Sequence, residues 1–382
     1  MKILIDAFGI INKTTGVGQY SLQLLNALSE IDSSNEYFVC VHKDLGENHP
    51  IYKLRDKKNF SFIVDNVPAI GPRKQFYFFK LISKNSCRFD LFHSFNSELA
   101  LYGNIKSVVT FHDLKYIRYP LFLNSFSKLK SGYLRYVMKK GAKKANKIIA
   151  VSENTKKDLI QLLGINRDKI SVIYEASNLG MYSQERNSIS YSDILKKHSI
   201  QKPFFLYVGE KRPHKNLDGL IKAFAIYKEK YDYNNISLVL TGKKYSNYDD
   251  YLITAKKLGV RNSLIFTGFV SEKDLKVIYS EAELLLLISF YEGFGIPILE
   301  AMECGIPVIT SNVSSMPEVA AEAALLVDPN NVIEIAEKMK NIMYSKETRE
   351  GLIKKGFKRA KQFSWKKTAV KTLEVYREIY KQ

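Results

Sequence analysis

Short apolar runs rich in β-branched residues alternate along the chain with longer stretches whose apolar residues recur at helical spacing. Strands buried on both faces read as continuous apolar runs, whereas surface helices show an apolar residue every three or four positions. The first half therefore predicts strands at Lys2–Ala7, Tyr37–Val41, Phe60–Val64, Ser107–Phe111 and Ile148–Val151, and a helix over Gln19–Leu28. Ser152 stands where it can cap a helix beginning near Thr155. The second half repeats the alternation, with strands at Phe204–Val208, Ser237–Thr241, Ser263–Thr267, Leu284–Ile288 and Pro307–Thr310 and a helix over Asn216–Lys228. Strand–helix alternation is the pattern of parallel sheets covered by helices. Two such series predict an α/β chain of two doubly wound, Rossmann-like domains facing across a cleft.

The polar, Ser/Asn-rich stretch from Tyr174 to Lys202 has no strand periodicity and is the expected boundary, between domains at 1–178 and 203–363. The stretch Ser364–Lys381 has helical spacing at Trp365, Ala369, Leu373 and Tyr376, and suits packing on either domain. A composition of 46% hydrophobic and 25% charged residues excludes wholesale disorder. No run approaches the ~18 apolar residues of a membrane span; the longest, Leu284–Ile288, is flanked by Glu283 and Glu292. Asp6 interrupts the first apolar run, which is unlike a secretory signal. Cys40, Cys87 and Cys304 lie far apart without metal-ligand spacing. These features lead us to expect a soluble cytoplasmic protein.

Charge changes the picture. With 58 basic and 39 acidic residues the net charge is +19, which calls for an anionic partner. Residues 1–178 carry 27 Lys/Arg against 15 Asp/Glu, and residues 179–382 carry 31 against 24. The excess is densest between Lys115 and Lys147, where ten basic residues meet no acid. Leu123, Phe126, Leu129, Tyr133, Tyr136, Val137 and Met138 interleave with them, and Arg73–Lys80 is a second basic-aromatic segment. Such faces suit an anionic leaflet, at roughly 1 kcal/mol per basic residue near the surface. We therefore expect peripheral attachment to the inner face of the plasma membrane through segments 73–80 and 115–147. A solvated basic face over ordinary core aromatics fits the same spacing. No nucleic-acid module is present, so nucleic acid is not an expected partner.

The segment Ser289-Phe290-Tyr291-Glu292-Gly293-Phe294-Gly295-Ile296-Pro297-Ile298-Leu299-Glu300 carries the strongest chemical signal. A strand ends at Ser289, and a helix is expected to begin near Pro297, a favoured first helical residue. The glycines between them allow close backbone approach, and amides at a helix start bind anions or hydroxyls. Glu292 and Glu300 flank this loop, and a carboxylate accepts several hydrogen bonds from a sugar or ribose. The same spacing also fits a tight turn between solvated glutamates. Gly209-Glu210-Lys211-Arg212-Pro213-His214-Lys215-Asn216 clusters cations before a helix, as a diphosphate requires, although a solvated turn would look alike. His112 and Asp113 end a first-half strand, where open α/β sheets bind ligands, although a lone histidine there also fits a structural role. Gly16 and Gly18 form half of a dinucleotide fingerprint in the loop before the first helix, but Ser21 replaces the third glycine, which argues against a nicotinamide site. Asp-x-Asp, Gly-x-Ser-x-Gly, Walker and His-Glu-x-x-His motifs are all absent.

Together these pieces resemble the family 4 (group 1) retaining glycosyltransferases of the glycosyltransferase-B fold. The resemblance is carried by Tyr207-Val208-Gly209 with Lys215-Asn216, Gly268-Phe269-Val270, Glu292 through Pro307, Val313-Ser314-Ser315-Met316-Pro317-Glu318-Val319 and Phe363-Ser364-Trp365. Glu292 and Glu300 fit the family's Glu-x7-Glu motif. The resemblance implies that Glu292 holds donor sugar hydroxyls, helped by the backbone of Gly293, Phe294, Gly295 and Ile296 and by Leu299 nearby. Glu300 would bind ribose, Lys215 the diphosphate, and Gly268, Phe269 and Val270 the base. His112 would touch the reacting sugar with Asp113 nearby, and the Gly16–Gly18 loop would approach the phosphates. Glu210 stands where many members carry arginine, so the second phosphate cation falls to Lys211 or Arg212. Residues 179–202 would be a linker, and the terminal segment 364–382 would cross back to the first domain.

The implied activity is hexosyl transfer, with mannose or a similar sugar, from a nucleoside-diphosphate sugar to a lipid-linked or glycan acceptor in cell-surface polysaccharide assembly. It implies no divalent metal or other cofactor. A non-catalytic glycan- or nucleotide-binding subunit and a nucleotide-sugar epimerase remain the alternatives.

Overall fold

The computed structural model describes residues 1–11, 16–84, 88–101, 103–119, 128–177, 179, 191–231, 235–242 and 248–381. The chain divides into two compact units, Met1–Ala176 with Ser364–Gln382, and Ser177–Phe363. In the first, seven described strands are β1 (Lys2–Asp6), β2 (Glu36–His42), β3 (Phe60–Asp65), β4 (Leu91–Ser94), β5 (Lys106–Phe111), β6 (Lys147–Ala150) and β7 (Ile170–Val172). They lie in the order β3-β2-β1-β4-β5-β6-β7, every pair parallel. The second unit has β8 (Phe204–Val208), β9 (Ser237–Thr241), β10 (Leu264–Gly268), β11 (Leu284–Leu287), β12 (Val308–Ser311) and β13 (Leu325–Val327), in the order β10-β9-β8-β11-β12-β13 and also parallel. Each sheet reverses its strand order once, at β1/β4 and at β8/β11, and loops leaving the two strands of such a switch point flank a ligand crevice.

The apolar runs become strands because they are buried on both faces; all four residues of β11 are buried. Strands β4, β7 and β13 are additional to those expected: β7 and β13 have only three residues, and β4 is half polar, with His93 and Ser94 following Leu91 and Phe92. The first helix is Gly16–Ile31, so Gly16 and Gly18 lie in its opening turn rather than in a preceding loop. Thr15 lies outside the described residues. Ser152 caps the helix Glu153–Leu163 by accepting the Thr155 amide. The polar stretch expected as a linker carries the helix Tyr191–Lys197, which Lys197 and His198 tie to Asp274 at 2.7 and 2.9 Å. It is part of the second unit.

The terminal helix Trp365–Lys381 belongs to the first unit. Ala369, Leu373, Val375, Tyr376 and Ile379 join the core formed by the helix Gly16–Ile31 and one face of the sheet. Burial of a large apolar side chain stabilises by roughly 1.5–3 kcal/mol, which is enough to hold the helix there. A polar chain runs through this core. His93 on β4 bonds Tyr376 Oη through Nδ1 at 2.6 Å and Thr110 Oγ1 through Nε2 at 2.9 Å, and the Tyr20 hydroxyl shares Thr110. A neutral imidazole satisfies both hydroxyls.

Burial, with the nearby His112 charge, lowers the His93 pKa from 6.5 to about 3. The unfolded chain therefore takes up a proton that the folded chain refuses. This contribution is complete above pH 6.5 and is lost as pH falls toward 3, at about 1.4 kcal/mol per unit. Denaturant titrations of wild type and His93→Gln should show the gap in stability closing between pH 7 and 4; a constant gap would refute this assignment.

Candidate functional site

In the second unit the loops after β8, β9 and β10 are laced together by glycines. Gly209, Gly242 and Gly268 all have positive φ, and a β-carbon on Gly242 would come within 2.1 Å of the Gly209 carbonyl oxygen. The Gly242 amide donates to the Gly268 carbonyl at 2.8 Å. Lys211 is fully buried in this lacing, where its Nζ donates to the Gly242 carbonyl at 2.6 Å. Arg212 is partly exposed and pairs with Glu210 at 2.7 Å. Of the two candidate second cations, Lys211 thus ties one loop to the next, and Arg212 is the one near solvent. Beyond them Phe269 is 62% exposed at the end of β10, whereas Val270 is buried.

Lys215 ends the turn Pro213–Lys215, and Asn216 follows in the left-handed region, with its side chain accepting from Gly219 N and donating to the Pro329 carbonyl. This turn aims the lysine at the loop after β11. Lys215 Nζ lies 2.6 Å from both carboxylate oxygens of Glu292, and Ser289 Oγ donates to Glu292 Oε1 at 2.6 Å. Strands β8 and β11 are the neighbours at the switch point, so residues from two loops meet where a ligand is expected. Gly295, with φ 106°, forms the cap of the helix Ile296–Glu303, and Pro297 stands in its first turn. Phe294 and Leu299 are core side chains, Phe294 lying against Phe363, so they serve a ligand only through backbone or by holding the loop. Ile296 and Gly293 are half-buried.

Glu300, one helical turn in, is buried and accepts the Tyr279 hydroxyl at 2.8 Å. Burial, against the help of Tyr279 and with the added charge of Glu303 and Glu272, raises its pKa to about 7. Tyr279 gave no chemical signal in the sequence, because it lies 21 residues from Glu300 on a helix of ordinary amphipathic pattern.

In the first unit His112 follows β5 and is held at both ring nitrogens. Nδ1 lies 2.8 Å from Glu175 Oε1 and Nε2 2.9 Å from the Phe95 carbonyl oxygen, with the Tyr20 ring edge-on at 4.7 Å. Both partners accept only, so the doubly protonated imidazolium satisfies both. Burial opposes that charge, but Glu175 and the Phe95 carbonyl outweigh it and raise the His112 pKa. Asp113 caps the next turn, accepting Lys115 N at 3.1 Å and Lys115 Nζ at 2.9 Å. Glu175 is a lone acid 63 residues from its histidine, without local pattern to mark it.

The basic segments divide. In the helix Pro72–Lys84, Arg73, Phe76, Phe79 and Lys80 are exposed, but Lys74 is fully buried and pairs with Asp6 at 2.6 Å. In the helix Lys128–Lys144, Arg135, Tyr136, Lys139, Lys140 and Lys143 are exposed. Lys144 instead donates to the Ala100 and Gly103 carbonyls. Lys74 and Lys144 are therefore structural, a correction that composition could not supply. Lys115, Arg118 and Lys147 are ion-paired. Residues 120–127, with Leu123 and Phe126, lie outside the described residues, and the side chain of Leu129 is not described. Among the described residues no helix is long and apolar enough to cross a membrane. Cys40 and Cys304 are buried free thiols, and Cys87 lies outside the described residues.

Residues 192–359 match the family model for glycosyl transferases group 1, and residues 14–179 that for glycosyltransferase family 4. Among curated proteins, the chain is 28% identical to the O-antigen chain mannosyltransferase B of Escherichia coli, over 99% of this chain and 100% of that one. It is 29% identical to the O-antigen chain mannosyltransferase RfbU of Salmonella typhimurium, over 86% and 87%. Solved structures with the same fold include a sucrose-phosphate synthase from Thermosynechococcus elongatus (TM-score 0.77, 20% identity, 99% of both chains). Another is WaaG, a glycosyltransferase involved in lipopolysaccharide biosynthesis (TM-score 0.74, 17% identity, 98% of this chain and 99% of that one). HepE of Anabaena in complex with UDP-glucose is a third (TM-score 0.74, 20% identity, 99% and 100%). The two Rossmann-like units and both family matches lead to one conclusion: the chain belongs to the group 1 glycosyltransferases of the glycosyltransferase-B type.

Proposed function

We propose that the chain is a mannosyltransferase of cell-surface polysaccharide assembly, moving the sugar from a nucleoside-diphosphate donor to a glycan or lipid-linked acceptor with retention. The observation that carries the donor site is the contact of Lys215 with Glu292 across the β8/β11 switch point, beside the start of the helix Ile296–Glu303. In this reading the donor diphosphate takes Lys215 from Glu292, and the freed carboxylate accepts sugar hydroxyls. Glu300 accepts from the ribose, and the exposed Phe269 covers the base. The mannosyl assignment is supported by relatives named O-antigen mannosyltransferases, and donor use by HepE, which was solved with UDP-glucose.

The proposed reaction needs little from the protein beyond position and charge. An acceptor hydroxyl attacks the anomeric carbon on the face from which the diphosphate leaves. The carbon–oxygen bond to phosphate breaks, and the departing phosphate oxygen takes the acceptor's proton. Charge growing on that oxygen is met by Lys215, by helix amides and by Arg212 where it reaches, so we assign no divalent metal. His112, whose pKa Glu175 and the Phe95 carbonyl raise, is the first-domain group we assign to the transferred sugar, with Asp113 setting the turn that follows it.

We also propose attachment to an anionic membrane through the two exposed helix faces. Phe76 is 56% and Tyr136 54% exposed; Lys80 lies over the Phe76 ring at 4.4 Å and Lys140 over Tyr136 at 5.9 Å. Both helices reach Glu98, through Gln75 and Tyr133, so their faces belong to one side of the domain.

A thermal-shift screen with GDP, UDP, dTDP, ADP, their sugars and NAD should select one nucleoside diphosphate and its sugar, by about 2.7 kcal/mol at 100 times the dissociation constant. Glu292→Ala should remain folded and lose transfer by about a hundredfold or more; an active variant sinks the assignment. The Glu300 carboxylate ionises at about pH 7, and ribose hydroxyls donate to the ionised form. Nucleotide affinity should therefore rise between pH 6 and 8 in wild type, and Glu300→Gln should lack that rise. Neutralising Arg135, Lys139, Lys140 and Lys143 together should weaken sedimentation with phosphatidylglycerol vesicles, and unchanged binding would remove the membrane reading.

A further inference from the structure

The segment Val313-Ser314-Ser315 has no role in the donor contacts described so far, yet it is bound to the backbone of the residue that carries them. It connects β12 to the helix Met316–Ala320. Ser314 Oγ accepts the Glu292 amide at 3.2 Å and donates to the Glu292 carbonyl at 2.6 Å, so one hydroxyl closes on both backbone groups of a single residue. Ser315, fully buried, places its Oγ 3.0 Å from the same carbonyl and 2.8 Å from that of Phe294. Ser314 does this from a left-handed conformation, φ 60°, that a residue with a β-carbon seldom adopts. Backbone strain of this kind persists only where surrounding contacts over-determine it.

The consequence is directional. The Glu292 side chain turns to Lys215 and Ser289, while its backbone is fixed from the other side by the two serines. The carbonyls of Glu292 and Phe294 are both drawn toward the β12 loop. Gly293, the next residue, adds no side-chain packing, so on that side the backbone of Glu292 is held by the serine hydroxyls. We propose that Ser314 and Ser315 are positioning residues for the donor sugar. They act through Glu292 and Phe294 and set where the carboxylate stands once Lys215 leaves it for phosphate. This rests on the donor-site reading above.

The role separates sugar from nucleotide, because Glu292 is assigned to the sugar while Lys215, Glu300 and Phe269 serve the nucleotide. The test is calorimetric binding of GDP and GDP-mannose, or of the pair selected by the nucleotide screen, to wild type, Glu292→Gln, Ser315→Ala and Ser314→Gly, with steady-state kinetics alongside. Glycine suits the left-handed backbone, so Ser314→Gly removes the hydroxyl without adding strain and is read alone if the buried Ser315→Ala does not fold. Each serine variant should weaken the nucleotide sugar about tenfold, the worth of one hydrogen bond, and leave the free nucleotide within about twofold. The loss should appear in KM for the donor and in kcat. Equal losses for both ligands, or none, while Glu292→Gln selectively loses the sugar, would overturn the proposal and leave the donor reading standing. If Glu292→Gln also binds both ligands as wild type does, the donor reading itself fails.

Discussion

The pairing of β8 with β11 is the constraint on which the second domain's site depends. Strands far apart in the chain become neighbours there, and both run in the same direction, so their carboxyl-end loops emerge side by side. A lysine and a glutamate 77 residues apart are thereby brought to 2.6 Å. Lys215 is aimed by a short turn locked through Asn216, and Glu292 by the Ser289 hydroxyl at its carboxylate and the Ser314 hydroxyl at its backbone. The pair compensates two largely buried charges that would otherwise stand alone.

The first domain solves a related problem differently. Its switch-point side is packed with charge that is already satisfied: Lys74 with Asp6, and Glu98 with Gln75, Tyr133 and the Gly71 amide. His112 is likewise committed at both nitrogens. Buried ions of this kind are tolerated only with good partners. His93 in the core and His112 beside Glu175 show how burial without and with a carboxylate partner moves the same side chain in opposite directions.

Much of the fold was legible because apolar periodicity is a local property. Phe204–Val208 and Ser237–Thr241 stand as expected, and most other strands and helices differ by a residue or two. Leu91–Ser94 was not legible, since His93 and Ser94 break the apolar run and are buried only by their tertiary partners. Gly16 and Gly18 read as loop residues because glycine is a poor helix former, yet a first turn, whose amides lack intrahelical partners anyway, tolerates them. The polar stretch around Tyr191–Lys197 read as a linker because a seven-residue helix with only Ile194 and Leu195 buried is too short to show a period, and its contacts to Asp274 come from far along the chain.

By itself, the sequence determined the strand–helix alternation, the glycine-flanked acidic loop, the cationic loop after Val208 and the basic excess, because each is written in consecutive residues. Only the tertiary structure decided which charges are available. Of the lysines in the two basic segments, Lys74 and Lys144 are taken up by the fold, and Lys139, Lys140 and Lys143 are left on the surface. It also decided the partners: Glu175 for His112, Tyr279 for Glu300, and Ser314 and Ser315 for Glu292. The physical reason is the same in each case. A hydrogen bond or an ion pair is set by distance and burial, and parallel sheets bring together strand ends that lie tens of residues apart in the chain.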